Sequence, residues 1–347
     1  MRLEAYGFDE RNYEKYDGTP ARVIAVHKER YKLVCEYGDC YGRLKTREYY
    51  MKMEDFPTAG DFVTINYNPS GDSMIVKTLP RRTFFMRKDP NPNKAEQAVA
   101  ANFDYVFIMQ SLNHDFNPKR LERYLTLAWQ SGAQPVVILT KADLLENFSD
   151  KIATMKLYAM GVPVHAVSSQ TGYGLSELDK YFSPRKTVVF LGSSGVGKSS
   201  LVNALAGEEI MATNGIREDD SRGRHTTTHR ELIMLQNGAM IIDTPGMRSL
   251  GMWDVSGGIE NAFTDVERFL GRCKFNDCRH ESEPGCAIKA AIESGELARE
   301  RFESYQALIK EARYSNDKEA FLRNKREWHK SLSKGTKQFK KIKPKYK

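Results

Sequence analysis

Residues Gly192-Ser-Ser-Gly-Val-Gly-Lys-Ser199 match the phosphate-loop pattern Gly-x4-Gly-Lys-Ser in full. No other feature of this chain constrains the fold as tightly, because such a loop must leave a buried strand and enter a helix. The flanks meet that demand. Thr187-Val-Val-Phe-Leu191 is an apolar strand run, and Leu201-Val-Asn-Ala-Leu205 reads as the outgoing helix. Glycines at 192, 195 and 197 let successive backbone N–H groups turn inward around phosphates, and the start of the helix adds its positive end. Lys198 is expected to bridge the β- and γ-phosphates and Ser199 to ligate Mg2+. Ser193, Ser194, Gly195, Val196, Gly197 and Ser200 complete the expected nucleotide contacts, beside Gly192.

Two further motifs stand at the ends of apolar runs. Asp243-Thr-Pro-Gly246 follows Ala239-Met-Ile-Ile, so Asp243 suits the Mg2+ shell and the unhindered N–H of Gly246 suits a γ-phosphate sensor. Thr140-Lys-Ala-Asp143 follows Pro135-Val-Val-Ile-Leu139. A carboxylate at Asp143 can accept both the N1–H and the 2-amino hydrogens of guanine, whereas adenine would leave it unsatisfied. Lys141 would lie along the base, and Val167-Ser-Ser169 would offer backbone to the guanine carbonyl at Ser168 and Ser169. The nucleotide read from these residues is GTP, with GDP as product. Their order is rotated: the guanine motif that starts at Thr140 precedes the phosphate loop instead of following it.

Between the phosphate loop and Asp243 lies Arg222-Gly-Arg-His-Thr-Thr-Thr228, polar and glycine-punctuated as a switch would be. Thr227 is the expected Mg2+ ligand there. Ras-like proteins carry a glutamine just after the Asp-x-x-Gly motif to orient the attacking water. This chain has Met247, whose thioether cannot polarise water. Intrinsic hydrolysis is therefore expected to be slow, with His225 or His229 holding the water and His225 preferred.

Tyr105–Met109, Pro135–Leu139, Val162–Val167, Thr187–Leu191 and Ala239–Asp243 read as buried strands alternating with helical stretches, which predicts a parallel α/β domain. Upstream, Ala21–Val26, Tyr31–Glu36, Asp61–Tyr67 and Ser73–Thr78 read as short strands separated by turn signals, and predict a small barrel of the OB type. Tyr37, Tyr41, Tyr49 and Tyr50 lie among Arg43, Lys45 and Arg47, a mixture that suits single-stranded RNA or a half-exposed sheet. The polar stretch from Pro80 to Asn93 reads as a linker. Beyond about residue 255 the chain reads as helical, with a strongly charged helix from Leu297 to Arg326.

Three of the five cysteines, Cys273, Cys278 and Cys286, crowd around His280. Three thiolates and one imidazole make a closed tetrahedral set, so one structural Zn2+ is expected. Cys35 and Cys40 are expected to be ordinary strand residues. The chain is 40% hydrophobic and 28% charged, which suits a globular protein. No apolar run is long enough to span a membrane, and the N-terminus does not read as a secretory signal, so a cytoplasmic monomer is expected. Eight of the 53 basic residues are lysines between Lys330 and Lys347; the remaining 45 balance the 45 acids. The net basicity thus belongs to the tail, which reads as a solvated end or a polyanion contact.

Taken together, these residues resemble the YjeQ/RsgA family of circularly permuted GTPases. The likeness rests on the rotated motif order, Pro80-Arg-Arg-Thr83, Asn113 to Arg123, Gly223-Arg-His-Thr-Thr-Thr228, Cys278-Arg-His-Glu-Ser-Glu-Pro-Gly-Cys286 and Gly295-Glu-Leu297. It implies an OB-type barrel over residues 1–82, a permuted P-loop GTPase over 83–252, a helical zinc domain over 253–329 and a basic tail over 330–347. It also implies action late in assembly of the small ribosomal subunit, with binding to its rRNA and hydrolysis of GTP when docked. The rotated order leads the Gly246 switch straight into the zinc domain, so ordering of that switch is expected to reorient this domain. Rival readings are a GTP-gated RNA-binding module with incidental turnover and an ATP-driven kinase or motor, the latter disfavoured by Thr140–Asp143.

Overall fold

Successive residues of a strand point to opposite sides, and that alternation governs how the barrel and the central sheet pack. The computed structural model describes residues 2–27, 30–45, 56–87, 97–113, 115–211, 230–243 and 256–313. The Arg222–Thr228 loop with His225 and Thr227, His229, the stretch from Thr244 through Gly246 and Met247, Arg47, Tyr49, Tyr50 and the Lys330–Lys347 tail lie outside the described residues.

After a short helix α1 (Arg2–Ala5), five strands form the barrel: β1 (Thr19–His27), β2 (Arg30–Cys35), β3 (Gly38–Leu44), β4 (Phe62–Asn66) and β5 (Ser73–Thr78). β1 pairs antiparallel with β2 and β4, β3 runs parallel to β5, and β5 returns antiparallel to β4, so the ring closes. Ala21, Val23, Leu33, Val63, Ile65 and Ile75 fill it. β3 is the strand that the residue pattern conceals. Its two buried residues are Gly38 and Gly42, so no apolar alternation marks it.

The expected linker is in part a strand. β6 (Phe84–Arg87) pairs antiparallel with β7 (Gln97–Ala101). Phe85 is buried and stacks on Phe103 with ring centroids 4.9 Å apart. Arg81 is fastened to the buried carboxylate of Asp61 at 2.8 Å through both Nε and Nη2. Burial and paired charge therefore hold a segment whose composition looks loose.

The central sheet contains β8 (Tyr105–Ser111), β9 (Gln134–Thr140), β10 (Val164–Ala166), β11 (Thr187–Gly192), β12 (Glu231–Met234) and β13 (Met240–Asp243). Their order is β10-β9-β8-β11-β13-β12, all parallel except β12, a strand not expected from the sequence. The phosphate-loop strand β11 thus lies between β8, which comes earlier in the chain, and β13, which comes later. A single pairing, Ala25 with Glu231, carries the sheet on into the barrel. Alternate residues face opposite sides. Val106, Ile108, Val137, Leu139, Val189 and Leu191 face helices α2 (Pro118–Gln130) and α3 (Ser149–Ala159). Phe107, Met109, Ile138, Val188, Phe190 and Ile241 face helix α4 (Lys198–Ala206).

α2 begins where Asn117 caps the N–H of Arg120 at 3.0 Å and Pro118 occupies the first turn, and such a cap contributes about 1 kcal/mol. Its buried residues Leu121, Tyr124, Leu125 and Ala128 recur at helical spacing, each large one contributing about 2 kcal/mol by leaving water.

The C-terminal part is helical: α5 (Ser256–Ala262), α6 (Thr264–Glu267), α7 (Ala287–Glu293) and a helix over residues 299–313. Gly258 lets α5 lie directly on α2, since a Cβ there would come within 2.0 Å of the Thr126 carbonyl oxygen. Arg301 locks the same interface. Its guanidinium bonds Glu122 of α2 at 2.6 Å and Asp265 at 2.9 Å, and lies over the Phe263 ring.

The barrel is pinned to the central sheet by Arg22, which is fully buried. It donates to the carbonyls of Asn102 at 3.0 Å and Gly60 at 3.3 Å, to that of Tyr6, and to Thr187 Oγ1 at 3.1 Å. Burial pulls its pKa down to about 10, so the group remains charged at neutral pH and the carbonyls offset its lost hydration. Among the described residues, no helix is long and apolar enough to cross a membrane.

Candidate functional site

The carboxyl ends of parallel strands form the natural ligand edge of such a sheet. Here β8, β9, β10, β11 and β13 all bring their motifs to that edge. β11 delivers the phosphate loop, which turns through Gly195 at φ 69° and Gly197 at φ 101° before α4 begins at Lys198. That left-handed geometry disfavours other residues and lets consecutive N–H groups converge on an anion. Ser199 and Ser200 sit in the first turn of α4. Lys198 forms an ion pair with Asp243 at the end of β13, so the expected phosphate-binding cation and Mg2+-binding carboxylate share one place.

Thr140, at the end of β9, donates its hydroxyl to the Val196 carbonyl at 2.6 Å. The guanine motif therefore braces the phosphate loop although the two are 56 residues apart in the chain. Lys141 adopts a left-handed conformation (φ 60°), and Asp143 lies in the short turn Ala142–Leu144 with its side chain exposed. Ser168 is buried and donates to Asp143 Oδ1 at 2.5 Å, while its own oxygen accepts the N–H groups of Gln170 and Thr171. The Ala142 N–H bonds the Val167 carbonyl at 3.1 Å, which sets Ser168 and Ser169 beside the motif. One end of the sheet thus gathers Gly192 to Ser200, Thr140 to Asp143, Ser168, Ser169 and Asp243. Gly246, Thr227 and His225 lie outside the described residues.

Residue spacing passed over one participant. Asp115, between β8 and α2, accepts the Ser193 hydroxyl at 2.7 Å. The available signal was its place after an apolar strand, where parallel sheets carry their polar ligand contacts. A shallow cavity of about 190 Å3 lined by Arg82, Asp104, Gln134 and Lys186 lies at the opposite, amino end of these strands and does not coincide with the phosphate loop.

The Cys/His cluster closes as expected. His280 Nδ1 lies 3.5 Å from Cys273 Sγ, 3.6 Å from Cys278 Sγ and 3.4 Å from Cys286 Sγ. Cys273 and Cys286 sulfurs are 4.0 Å apart, and all four ligand atoms lie within 4.8 Å of one another. Tetrahedral zinc with bonds of roughly 2.0–2.3 Å needs ligand separations of about 3.6 Å, so the set fits. The loop is held by Glu283, whose carboxylate accepts the N–H groups of Arg279, Glu281 and Ser282 at 2.9–3.0 Å. These bonds, that from Arg279 first, pull the Glu283 carboxyl down to about 2. Cys35 and Cys40 are on barrel strands β2 and β3, apart from the cluster.

Several described residues of the aromatic and basic stretch engage one another. The Arg30 guanidinium covers the Tyr41 ring at 3.8 Å, and Arg30 and Arg43 both bond Asp72. Tyr37 packs on Tyr67 with centroids 4.5 Å apart.

The profile of the RsgA GTPase family matches residues 78–253. The profile of the ABC transporter family also matches residues 175–343, a span that holds the phosphate loop but not Thr140–Asp143. Small ribosomal subunit biogenesis GTPase RsgA 2 of Listeria monocytogenes is 44% identical over 99% of this chain and 100% of its own length. Small ribosomal subunit biogenesis GTPase RsgA of Streptomyces avermitilis is 41% identical over 89% of this chain and 85% of its own. Among solved structures, YjeQ from Thermotoga maritima superposes with a TM-score of 0.63 at 25% identity, covering 85% of this chain and 98% of that one. YloQ, described as a circularly permuted GTPase, gives a TM-score of 0.60 at 27% identity, covering 86% and 96%.

Proposed function

This chain belongs to the RsgA GTPase family, and from that premise we propose that it hydrolyses GTP when docked on the maturing small ribosomal subunit. It is a GTP-hydrolysing enzyme of small-subunit biogenesis. The observation that carries the reading is the Thr140–Val196 hydrogen bond, which joins a base-reading segment to a phosphate loop in rotated chain order. In this reading the enzyme acts late in assembly, as a cytoplasmic monomer that contacts rRNA, and hydrolysis times its release.

Each site residue has a distinct task. Backbone N–H groups from Gly192 to Ser200 hold the phosphates, and Lys198 neutralises their outer oxygens. Asp143 reads guanine while Ser168 orients it, Lys141 lies along the base, and Ser169 supplies backbone. Ser199, Asp243 and Thr227 present oxygen atoms suited to Mg2+, which when bound spreads the charge of the β- and γ-phosphates. Gly246 senses the γ-phosphate, and His225 holds the attacking water in place of a glutamine. Cys273, Cys278, His280 and Cys286 hold one structural Zn2+. The working parts are a barrel over 1–82, a GTPase domain over 83–252, a zinc domain over 253–329 and a basic tail over 330–347.

The test is GTP hydrolysis with purified small or large ribosomal subunits titrated in. Small subunits should raise the rate strongly, because supplying one missing transition-state group contributes several kcal/mol. Equal stimulation by both subunits would sink the docking claim, and no stimulation by either would favour a GTP-gated RNA-binding module. Asp143→Asn should weaken GTP binding roughly 10- to 100-fold and favour xanthosine triphosphate, as expected for hydrogen bonds to a charged group.

A further inference from the structure

We propose that Asp115 is a positioning residue for GTP turnover, acting on the phosphate loop through the Ser193 hydroxyl. The inference rests on the GTPase reading of this site. Ser193 Oγ donates to Asp115 Oδ2 at 2.7 Å. The second oxygen, Oδ1, accepts from Arg120 Nη2 at 2.7 Å, and the same nitrogen donates to the Asp115 carbonyl. Both carboxylate oxygens are therefore committed, and the Arg120 charge offsets an anion that would otherwise oppose nearby phosphates.

The carboxylate is oriented from the helix side. Arg120 is on α2, and Asn117 caps its N–H. Gln110, buried at the end of β8, grips Asn117 twice, accepting its N–H at 2.8 Å and donating to its carbonyl at 3.0 Å. Arg120 Nε is buried with no hydrogen-bond partner among the described residues. An unmet donor is a cost that native structures seldom carry, and here it accompanies a geometry that aims Nη2 at Asp115.

Ser193 is the second residue of the loop, at the end remote from the helix start. The helix N-terminus serves the inner phosphates, while Lys198 reaches back toward the terminal one. A shift of Ser193 should thus be felt at the γ-phosphate before it is felt at the β-phosphate. This separates positioning for turnover from mere upkeep of the loop.

The test uses the full chain and four variants: Asp115→Ala, Asp115→Asn, Ser193→Ala and the Asp115→Ala/Ser193→Ala double variant. Two quantities are read, the single-turnover rate at saturating GTP and the equilibrium Kd for GDP. Asp115→Ala should slow turnover about tenfold, the scale of one hydrogen bond to a charged group, with the GDP Kd within about twofold of native. Asp115→Asn keeps one acceptor oxygen, enough for Ser193 but not for Arg120 as well, and should recover part of the rate; a rate no better than that of Asp115→Ala would overturn the role of the Ser193 bond. The double variant should be no slower than about twofold below the slower single variant, because both residues act through one bond. GDP affinity falling as far as the rate, a double variant that multiplies the two single losses, or an unchanged rate in Asp115→Ala would each overturn the proposal. A native chain that fails to bind GTP would sink the nucleotide reading itself, and that is seen before any variant is compared.

Discussion

Arg301→Met should loosen the seam between the central sheet and the C-terminal helices, and the loss should grow with pH. The native guanidinium, 5% exposed, bonds Glu122, which is 1% exposed, at 2.6 Å, and Asp265 at 2.9 and 3.2 Å. Removing it leaves two carboxylates without their cation. Breaking a buried pair from one side costs about 3–5 kcal/mol. Burial pushes the Glu122 carboxyl above its ordinary range, against the downward pull of Arg301. A carboxyl with a raised folded pKa binds its proton more readily in the native state, so its contribution worsens as pH rises through that pKa. Without Arg301 the downward pull is gone and the window extends further upward. The variant can therefore neutralise Glu122 at pH 5 but less so at pH 8. Native-state hydrogen exchange of amides in residues 259–262 and 301–312 reads the opening directly. At about 1.4 kcal/mol per tenfold, exchange at pH 8 should accelerate roughly 10²- to 10⁴-fold after correction for intrinsic rates. An acceleration under tenfold at pH 8, or a larger one at pH 5, would refute the argument.

Protein purified without chelator should contain one zinc per chain, and Cys278→Ser should expose the C-terminal helices to protease while GDP binding persists; a metal-free native protein would contradict this. Glu283→Ala frees three N–H groups that shape the ligand loop, so competition with a chromophoric chelator should show zinc affinity about 10- to 100-fold weaker, as for other residues that orient metal ligands. Unchanged affinity would remove Glu283 from that role. Arg22→Met strands the buried carbonyl of Asn102 and leaves that of Gly60 with only the Asn102 side-chain amide, and urea unfolding should register a loss of about 2 kcal/mol or more, with a value near zero counting against the pin.

The nucleotide chemistry and the parallel sheet are readable in one dimension. The five expected strands of that sheet are β8, β9, β10, β11 and β13, because buried parallel strands need continuous apolar runs and such runs are visible in one dimension. The phosphate loop, Thr140–Asp143 and the Cys/His set were legible for a related reason: each packs its chemistry into a few neighbouring residues. Tertiary structure decided the rest. β3 is a strand because barrel closure pairs it with β2 and β5, although Gly42, facing Leu33 and Ile75, takes an inward position where an apolar side chain would have betrayed it. β6 is a strand because Phe85 finds Phe103, far outside any local window. Tyr41 stands near Arg43 and Lys45 in sequence, yet its ring meets the Arg30 guanidinium, and Arg30 and Arg43 both bond Asp72. Asp115 lies within the Asn113–Arg123 stretch, yet no spacing assigns it a role, and only the crossing of β8 beside β11 brings it to Ser193. The Glu122–Arg301 pair joins residues 179 positions apart, a separation that no periodicity encodes. Local chemistry is written in short spacings, whereas partners brought together by chain topology exist only once the chain has folded.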